Sequence, residues 1–187
     1  MEINEITLVE SCQRGNLDDF GKLYDLYIKK IYNFIYYKTH HQETAEDLAS
    51  QTFAKALEAI QKFKTKDGYF SAWLYQIARN TVIDYYRSKK VDYNLEDAWD
   101  MASETNIEQD LDAKQKLEEI KKKLKKFKSH ERDIIIMRVW QEMSYAEIAE
   151  VVGKSEASCR MVFSRTIKQL RAEMPLSLLM LFYLMKF

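Results

Sequence analysis

Apolar residues recur at steps of three and four along most of the chain, and that spacing predicts helices. A first helix covers residues 5–15 and ends near Gly15. From Phe20 the positions Leu23, Tyr24, Tyr27, Ile31, Phe34 and Ile35 keep the same step. The stretch "THHQETAED" interrupts it, and "AEDLASQTFAKALEAIQKF" resumes it, with Leu48, Thr52, Phe53, Ala56, Leu57 and Ile60 on one side. Lys64 to Gly68 is a short polar loop. "YFSAWLYQIARNTVIDYYRSKK", Tyr69 to Lys90, is then the last helix of the first half. On a wheel of about 100° per residue, Phe70, Trp73, Leu74, Ile77 and Thr81 share a side predicted to pack. Gln76, Arg79, Ile83, Arg87 and Lys90 form an opposite stripe, with Asn80 and Tyr86 at its borders.

Residues 91–112 lose the periodicity and read as a linker. "AKQKLEEIKKKLKKFKSHERDIIIMRVWQEM" gives two helices divided near Ser129. Ser129 is the expected N-cap there, with Arg132 where a capping box prefers Glu, so the box is incomplete. "SYAEIAEVVGKSEASCRMVFSRTIKQLR" carries stronger punctuation. Ser144 and Glu147 have capping-box spacing, Gly153 suits the left-handed residue that ends a helix, and Ser155 can cap the next one. Short helix, glycine turn and second helix make a helix-turn-helix. In its second helix Cys159, Phe163, Thr166 and Leu170 line one face. Met161, Arg165 and Lys168 lie opposite, flanked by Arg160, Ser164 and Arg171.

Composition agrees with an all-α chain. Four glycines and one proline in 187 residues are too few for many hairpin turns, while 47% apolar residues can fill a core. The net charge of zero hides a division. Residues 1–90 hold 13 Lys plus Arg against 12 Asp plus Glu, residues 91–112 hold 0 against 8, and residues 113–187 hold 16 against 9. An acidic linker therefore separates two small helical domains, the second of them basic. The domains expected are 1–90, the flexible linker 91–112, the helix-turn-helix domain 113–174 and an apolar tail 175–187.

Several chemistries lack their residues. Cys12 and Cys159 have neither disulfide-framework nor metal spacing and read as buried thiols. Adjacent His40 and His41 point about 100° apart on a helix and read as an interhelical turn, not a metal site. No nucleophile–base pair, phosphate loop or paired catalytic acid is evident, so neither an enzyme, a cofactor nor a small-molecule substrate is expected. The start "MEINEITLVE" lacks the order of a secretion signal, which fits a cytoplasmic protein. The tail "PLSLLMLFYLMKF" is too short to span a bilayer; packing on one of the two domains, covering a partner surface and lying on a membrane interface all fit it, with docking on its own domain the favoured reading.

Two readings stay open for each cationic helix. A basic stripe beside rings suits single-stranded DNA, where bases stack and phosphates pair with cations. The same helix also fits an aromatic core with a solvated back. Cations on the second helix of the helix-turn-helix suit the major groove, and equally a solvated bundle surface. Two function classes compete with a two-part nucleic-acid reader. One is a stand-alone helix-turn-helix transcriptional regulator, which has no need of the N-terminal ring-and-loop module. The other is an interaction protein that reads no DNA, which leaves the cations of residues 160–171 unexplained.

"AEDLASQTFAKAL", "FKTKDGYFSAWLYQIARNTVIDYYR", an acidic linker and "LKKFKSHERDIIIMRVWQEMSYAEIAEVVGKSEASCRMVFSRTIKQLR" follow one another in order. From about residue 10 to 172 this order resembles the extracytoplasmic-function (ECF) group of bacterial sigma factors. The resemblance implies that the first domain binds core RNA polymerase and opens the minus-ten element of promoter DNA, and that the second reads the minus-thirty-five element as duplex. Asp47, Leu48, Gln51 and Phe53 match the polymerase-binding helix, with Ser50-Gln51 where such factors often have Gln-Glu. Lys64, Lys66, Asp67 and Gly68 match the loop that takes up a base flipped from the non-template strand, with Asn80 in the same pocket. Tyr69, Phe70, Trp73, Arg79 and Arg87 lie where rings and cations line single-stranded DNA, Trp73 being the ring expected to pack. Arg160 and Arg165 match base- and phosphate-contacting positions, with Ser158, Met161, Ser164 and Lys168 as exposed neighbours. Val162 and Ile167 replace usual basic residues, which implies weaker phosphate anchoring or a different preferred site. The acidic linker resembles the segment that threads the polymerase's RNA path. The resemblance also implies an anti-sigma factor as a partner.

Overall fold

The computed structural model describes residues 5–64, 68–88, 123–124 and 126–173. The linker 91–112, the tail 175–187, Lys66, Asp67, Lys89 and Lys90 lie outside the described residues. The chain divides into two compact units, Met1–Tyr93 and Asn94–Phe187. The fold is all-α, and no strand occurs among the described residues.

The first unit contains α1 (Glu5–Gln13), α2 (Asp18–Thr39), α3 (Gln42–Ala59), a 3-10 turn (Ile60–Lys62) and α4 (Phe70–Ser88). α1 stops two residues before Gly15, whose φ of 99° turns the chain toward α2. The two histidines make the next corner. His40 ends α2 in the left-handed region at φ 51°, and its N–H bonds to the carbonyl of Tyr36 at 2.8 Å. His41 then caps α3, its Nδ1 accepting from the Thr44 N–H at 3.2 Å. A neutral imidazole can accept there, which satisfies one of the orphan donors of the first turn.

The core of this unit is aromatic. Phe34 meets Tyr75 edge-on at 5.1 Å, Tyr27 meets Phe70 at 5.7 Å, and Phe53 lies 4.7 Å from Tyr24. Such pairs contribute about 0.5–1.5 kcal/mol each beyond the area they bury. Thr39 and Thr52 are buried, and their hydroxyls donate to the carbonyls of Ile35 and Leu48 four residues back. That bond is why threonine can occupy a core position in a helix.

The second unit contains α5 (Ser129–Val139), α6 (Tyr145–Val152) and α7 (Glu156–Glu173). α5 departs from the expected capping. Lys128 is its N-cap, in extended backbone, and Glu131 at the third helical position accepts the Lys128 N–H at 3.0 Å. The acid sits one residue earlier than a box counted from Ser129 would place it. A lysine side chain cannot accept a hydrogen bond, so only this half of a capping box forms. The box on α6 is complete: Glu147 N–H donates to Ser144 Oγ at 3.2 Å, and Ser144 N–H to the Glu147 carboxylate at 2.8 Å. Gly153 ends α6 at φ 67°, and Ser155 Oγ accepts the Ser158 N–H at the start of α7.

Candidate functional site

α4 is rotated relative to the sequence expectation. Its buried residues are Phe70, Ser71, Ala72, Leu74, Tyr75, Ala78, Thr81 and Val82. Their centre lies near Ala78, roughly 90° around the wheel from the predicted face. Trp73 and Ile77 therefore lie at the edge of the packing side and are half-buried. They border the outer face of Asn80 and Arg87, which are exposed. Arg79 is half-buried on the other flank.

The loop before α4 is framed by rings. Phe63 lies 5.8 Å from Phe70 and 5.1 Å from Trp73, and Phe70 lies 5.6 Å from Trp73. Phe70 is buried, so it packs. Tyr69 is 50% exposed and presents a ring beside the half-buried Gly68. Lys64 is exposed on the other side of the loop. Tyr86 is tied down through its hydroxyl, which donates to the Lys38 carbonyl at 3.1 Å.

On α3, Asp47, Ser50 and Gln51 are exposed along one side, and Ala54 and Leu57 continue it. Leu48 and Phe53 face the other way, at 2% and 5% exposure. The two apolar members of the predicted polymerase contact are core residues, and burial puts them out of a partner's reach. Asp47 and Gln51 are the members that a partner can touch.

α7 packs with Cys159, Val162, Thr166, Ile167 and Leu170, while Phe163 is half-buried and meets Tyr145 edge-on. Val162 and Ile167 thus belong to the core. A cation there would carry charge into the bundle, so their apolar character is a packing requirement and removes no cation from the surface. The outer side of α7 shows Arg160, Met161, Ser164, Arg165 and Lys168, and Ser158 is half-buried at its start. Met161 is the most exposed large apolar residue among the described residues, at 66%.

The two arginines are held. Arg160 bonds to the Glu156 carboxylate one turn back, and its guanidinium lies 4.6 Å from the centre of the Tyr145 ring. Arg138 covers the same ring at 4.7 Å and donates to the Met143 carbonyl at 2.8 Å. Arg165 bonds to Glu131 at 2.5 Å. The other oxygen of that carboxylate caps α5, so one acid ties α7 to the start of α5.

Family comparison adds to this geometry. Residues 23–91 match sigma-70 region 2, and residues 117–170 match sigma-70 region 4. The ECF RNA polymerase sigma factor SigW of Bacillus subtilis is 32% identical over 156 residues, covering 78% of this chain and 83% of SigW. The chain belongs to the ECF group of sigma factors. This sigma factor is also 35% identical to the RNA polymerase sigma factor YlaC of Bacillus subtilis, over 84% of its own length and 92% of YlaC. It is 33% identical to the ECF RNA polymerase sigma factor BldN of Streptomyces coelicolor, over 90% of its own length, and it spans 65% of BldN. The solved structure of CnrH with the cytosolic domain of CnrY shares the fold at a TM-score of 0.68, with 23% identity over 89% of this chain and 94% of CnrH.

Among the described residues, no helix of this sigma factor is long and apolar enough to cross a membrane, and no group of three or more His, Cys, Asp or Glu could hold a metal ion. Both thiols are buried, and burial pushes the Cys12 and Cys159 thiols above the ordinary cysteine range. Trp73 packs against Phe63 and Phe70 as expected, at the border of the buried face, whereas periodicity overstated the burial of Ile77. Periodicity missed the Glu131–Arg165 pair because the two lie 34 positions apart.

Proposed function

We propose that this sigma factor binds core RNA polymerase and directs promoter-specific initiation, each unit reading one promoter element. The observation that carries the reading is α7: a capped helix-turn-helix presents Arg160, Met161, Ser164, Arg165 and Lys168 on one outer side, in a chain that also carries sigma-70 region 2. In the major groove, arginine reaches guanine and phosphate, and an apolar side chain such as Met161 suits a thymine methyl. Ser158, at the start of α7, would approach the phosphate backbone.

In the first unit, Lys64, Gly68, Tyr69 and Asn80 would hold an unpaired minus-ten base, with Lys66 and Asp67 completing the loop. Flipping a base costs a few kcal/mol, which stacking and base-edge hydrogen bonds must return. Tyr69 supplies an exposed ring and Asn80 an amide. Trp73, on the same face of α4 as Asn80, is the second ring offered to the strand, and Arg79 and Arg87 would pair with phosphates. Polymerase docking would use Asp47 and Gln51 on α3, with Leu48 and Phe53 holding that helix in place from inside. The chemistry of polymerisation would belong to the partner, and the protein would act beside it in the cytoplasm as an initiation factor.

An anti-sigma factor is the remaining partner in the reading. The RpoE sigma factor of Bartonella quintana was solved with the anti-sigma factor NepR, and it shares this fold at a TM-score of 0.64, with 23% identity over 82% of this chain and 95% of RpoE. A regulator of this kind would compete with polymerase for the exposed side of α3.

The test is reconstitution with core polymerase on a library of promoter fragments. Specific transcripts that require both components support the reading. Tight, specific duplex binding by the isolated chain, unchanged by polymerase, would make it a stand-alone regulator instead.

A further inference from the structure

Gln13 is the last residue of α1, yet its side-chain amide reaches a segment nearly fifty positions away. Its Nε2 donates to the Ile60 carbonyl at 2.8 Å and to the Phe63 carbonyl at 2.6 Å. Ile60 opens the 3-10 turn that follows α3 and Phe63 comes just after it, at a helix end where carbonyls draw partners from outside the helix. Ile60 also accepts the Phe63 N–H at 3.2 Å. Both neighbours of Gln13 are acceptors, which fixes the amide with its nitrogen inward, and a primary amide has two protons for two carbonyls.

The segment held in this way leads into the loop. Phe63 leaves the turn in extended backbone, at φ −71° and ψ 130°, and Lys64 follows. The Phe63 ring is already set against Phe70 and Trp73. Ring and carbonyl together fix Phe63 from two sides. α1 is itself anchored, with Val9 and Cys12 buried and Glu5 accepting the Tyr27 hydroxyl at 2.6 Å. Water could satisfy the two carbonyls as well as Gln13 does. What the amide adds is direction, because it transmits the rigidity of α1 to the loop's entry.

We propose that Gln13 is a positioning residue for minus-ten base recognition: it holds Phe63, and with it Lys64, at the entry of the loop where an unpaired base would be met. The proposal rests on the loop reading given above. It predicts a particular pattern of loss. Gln13→Glu keeps the shape and turns a carboxylate toward two carbonyl oxygens, so the entry must move. Gln13→Met keeps the length and removes both donors.

The experiment uses the full chain bound to core polymerase. Non-template minus-ten oligonucleotides, from a promoter that the complex transcribes, carry an abasic sugar at each position in turn. In the unaltered protein one position shows the largest loss of affinity when the base is removed. Gln13→Glu and Gln13→Met should each reduce that loss by about threefold to tenfold, the range expected when one or two net hydrogen bonds are lost. Discrimination at the other positions and affinity for core polymerase should stay as they were. Asn80→Ala is the control for the underlying reading, and it should reduce discrimination at the same position. If Asn80→Ala changes nothing, the base-pocket reading fails and the proposal with it. If Asn80→Ala acts and both Gln13 variants leave the discrimination intact, the loop reading stands and the proposal falls. An equal loss at every position, or loss of polymerase binding, makes Gln13 a purely structural residue and also overturns it. Should Gln13→Glu fail to fold, Gln13→Met decides.

Discussion

Glu131 carries two jobs that can be separated by one atom. Its side chain is only 11% exposed, one oxygen bonds to Arg165, and the other caps α5 by accepting the Lys128 N–H. Glu131→Gln keeps an acceptor for the cap and removes the ion pair. Glu131→Ala removes both. The cap is worth about 1 kcal/mol. Arg165 is 61% exposed, so solvent screens the pair and it contributes about 0–1 kcal/mol. Glu131→Ala should therefore cost about 1–2 kcal/mol and Glu131→Gln less than about 1. In a unit this small, each kcal/mol moves the melting temperature by about 4–8 °C. Thermal unfolding followed by circular dichroism, with amide exchange at α5 and α7, measures the difference. The same variants test the role of Arg165 on DNA. In Glu131→Gln the guanidinium no longer competes with a carboxylate, so duplex affinity should hold or rise. Arg165→Ala should weaken duplex binding and flatten its salt dependence by about one counterion. Equal destabilisation by Glu131→Gln and Glu131→Ala would refute the dominance of the cap. Weaker duplex binding by Glu131→Gln would show that the pair holds Arg165 in its binding pose.

Three further outcomes are expected. Tyr145→Leu removes the ring beneath Arg160 and Arg138 and should weaken duplex binding several-fold, since each cation–ring contact contributes about 0.5–1 kcal/mol; the salt slope should barely move, because no charge is lost, and Tyr145→Phe should restore affinity. Leu48→Ala should destabilise the first unit by about 2–5 kcal/mol in denaturant titrations, whereas Gln51→Ala should leave stability within about 0.5 kcal/mol and weaken polymerase binding. Burial, with Lys154 and Lys128 nearby, pulls His130 below its usual pKa, although Glu131 and Asp133 oppose the shift. The folded state therefore binds this proton less readily than the unfolded state. Its contribution to stability is complete above about pH 6.5 and is lost as the pH falls below that value. His130→Gln should flatten this part of the stability profile.

The elements legible in the sequence were those written in local chemistry. Ser144, Glu147 and Gly153 lie within one short helix and its ends, so spacing alone defines α6. The paired histidines interrupt two strong periodicities and form the corner they imply. What stayed hidden depended on partners distant in sequence. On α4, Trp73 and Ile77 look like core letters, yet Tyr75 and Ala78 take the centre because Phe34 of α2 stands opposite. A small residue such as Ala78 carries no hydrophobic signal until a neighbouring helix is known to approach it. In the predicted polymerase contact, Leu48 and Phe53 carry the motif's apolar letters, and periodicity alone cannot separate a contact from the packing beneath it. The bonds from Gln13 and Glu131 join residues 34 to 50 positions apart, beyond any window that periodicity can use.

α7 keeps its inward and outward positions apart, and this governs how its preference for DNA can change. Cys159, Val162, Thr166, Ile167 and Leu170 hold the helix, while Met161, Ser164 and Lys168 project outward at spacings that leave the core untouched. Surface substitutions of this kind usually shift stability by no more than about 0.5 kcal/mol. If α7 reads DNA as proposed, these three sites form a dial that can be reset without rebuilding the bundle. Arg160 and Arg165 are not on that dial, since each also bonds to an acid of the same unit. A redesign aimed at a new minus-thirty-five sequence should therefore vary residues 161, 164 and 168 first and exchange either arginine only together with its partner.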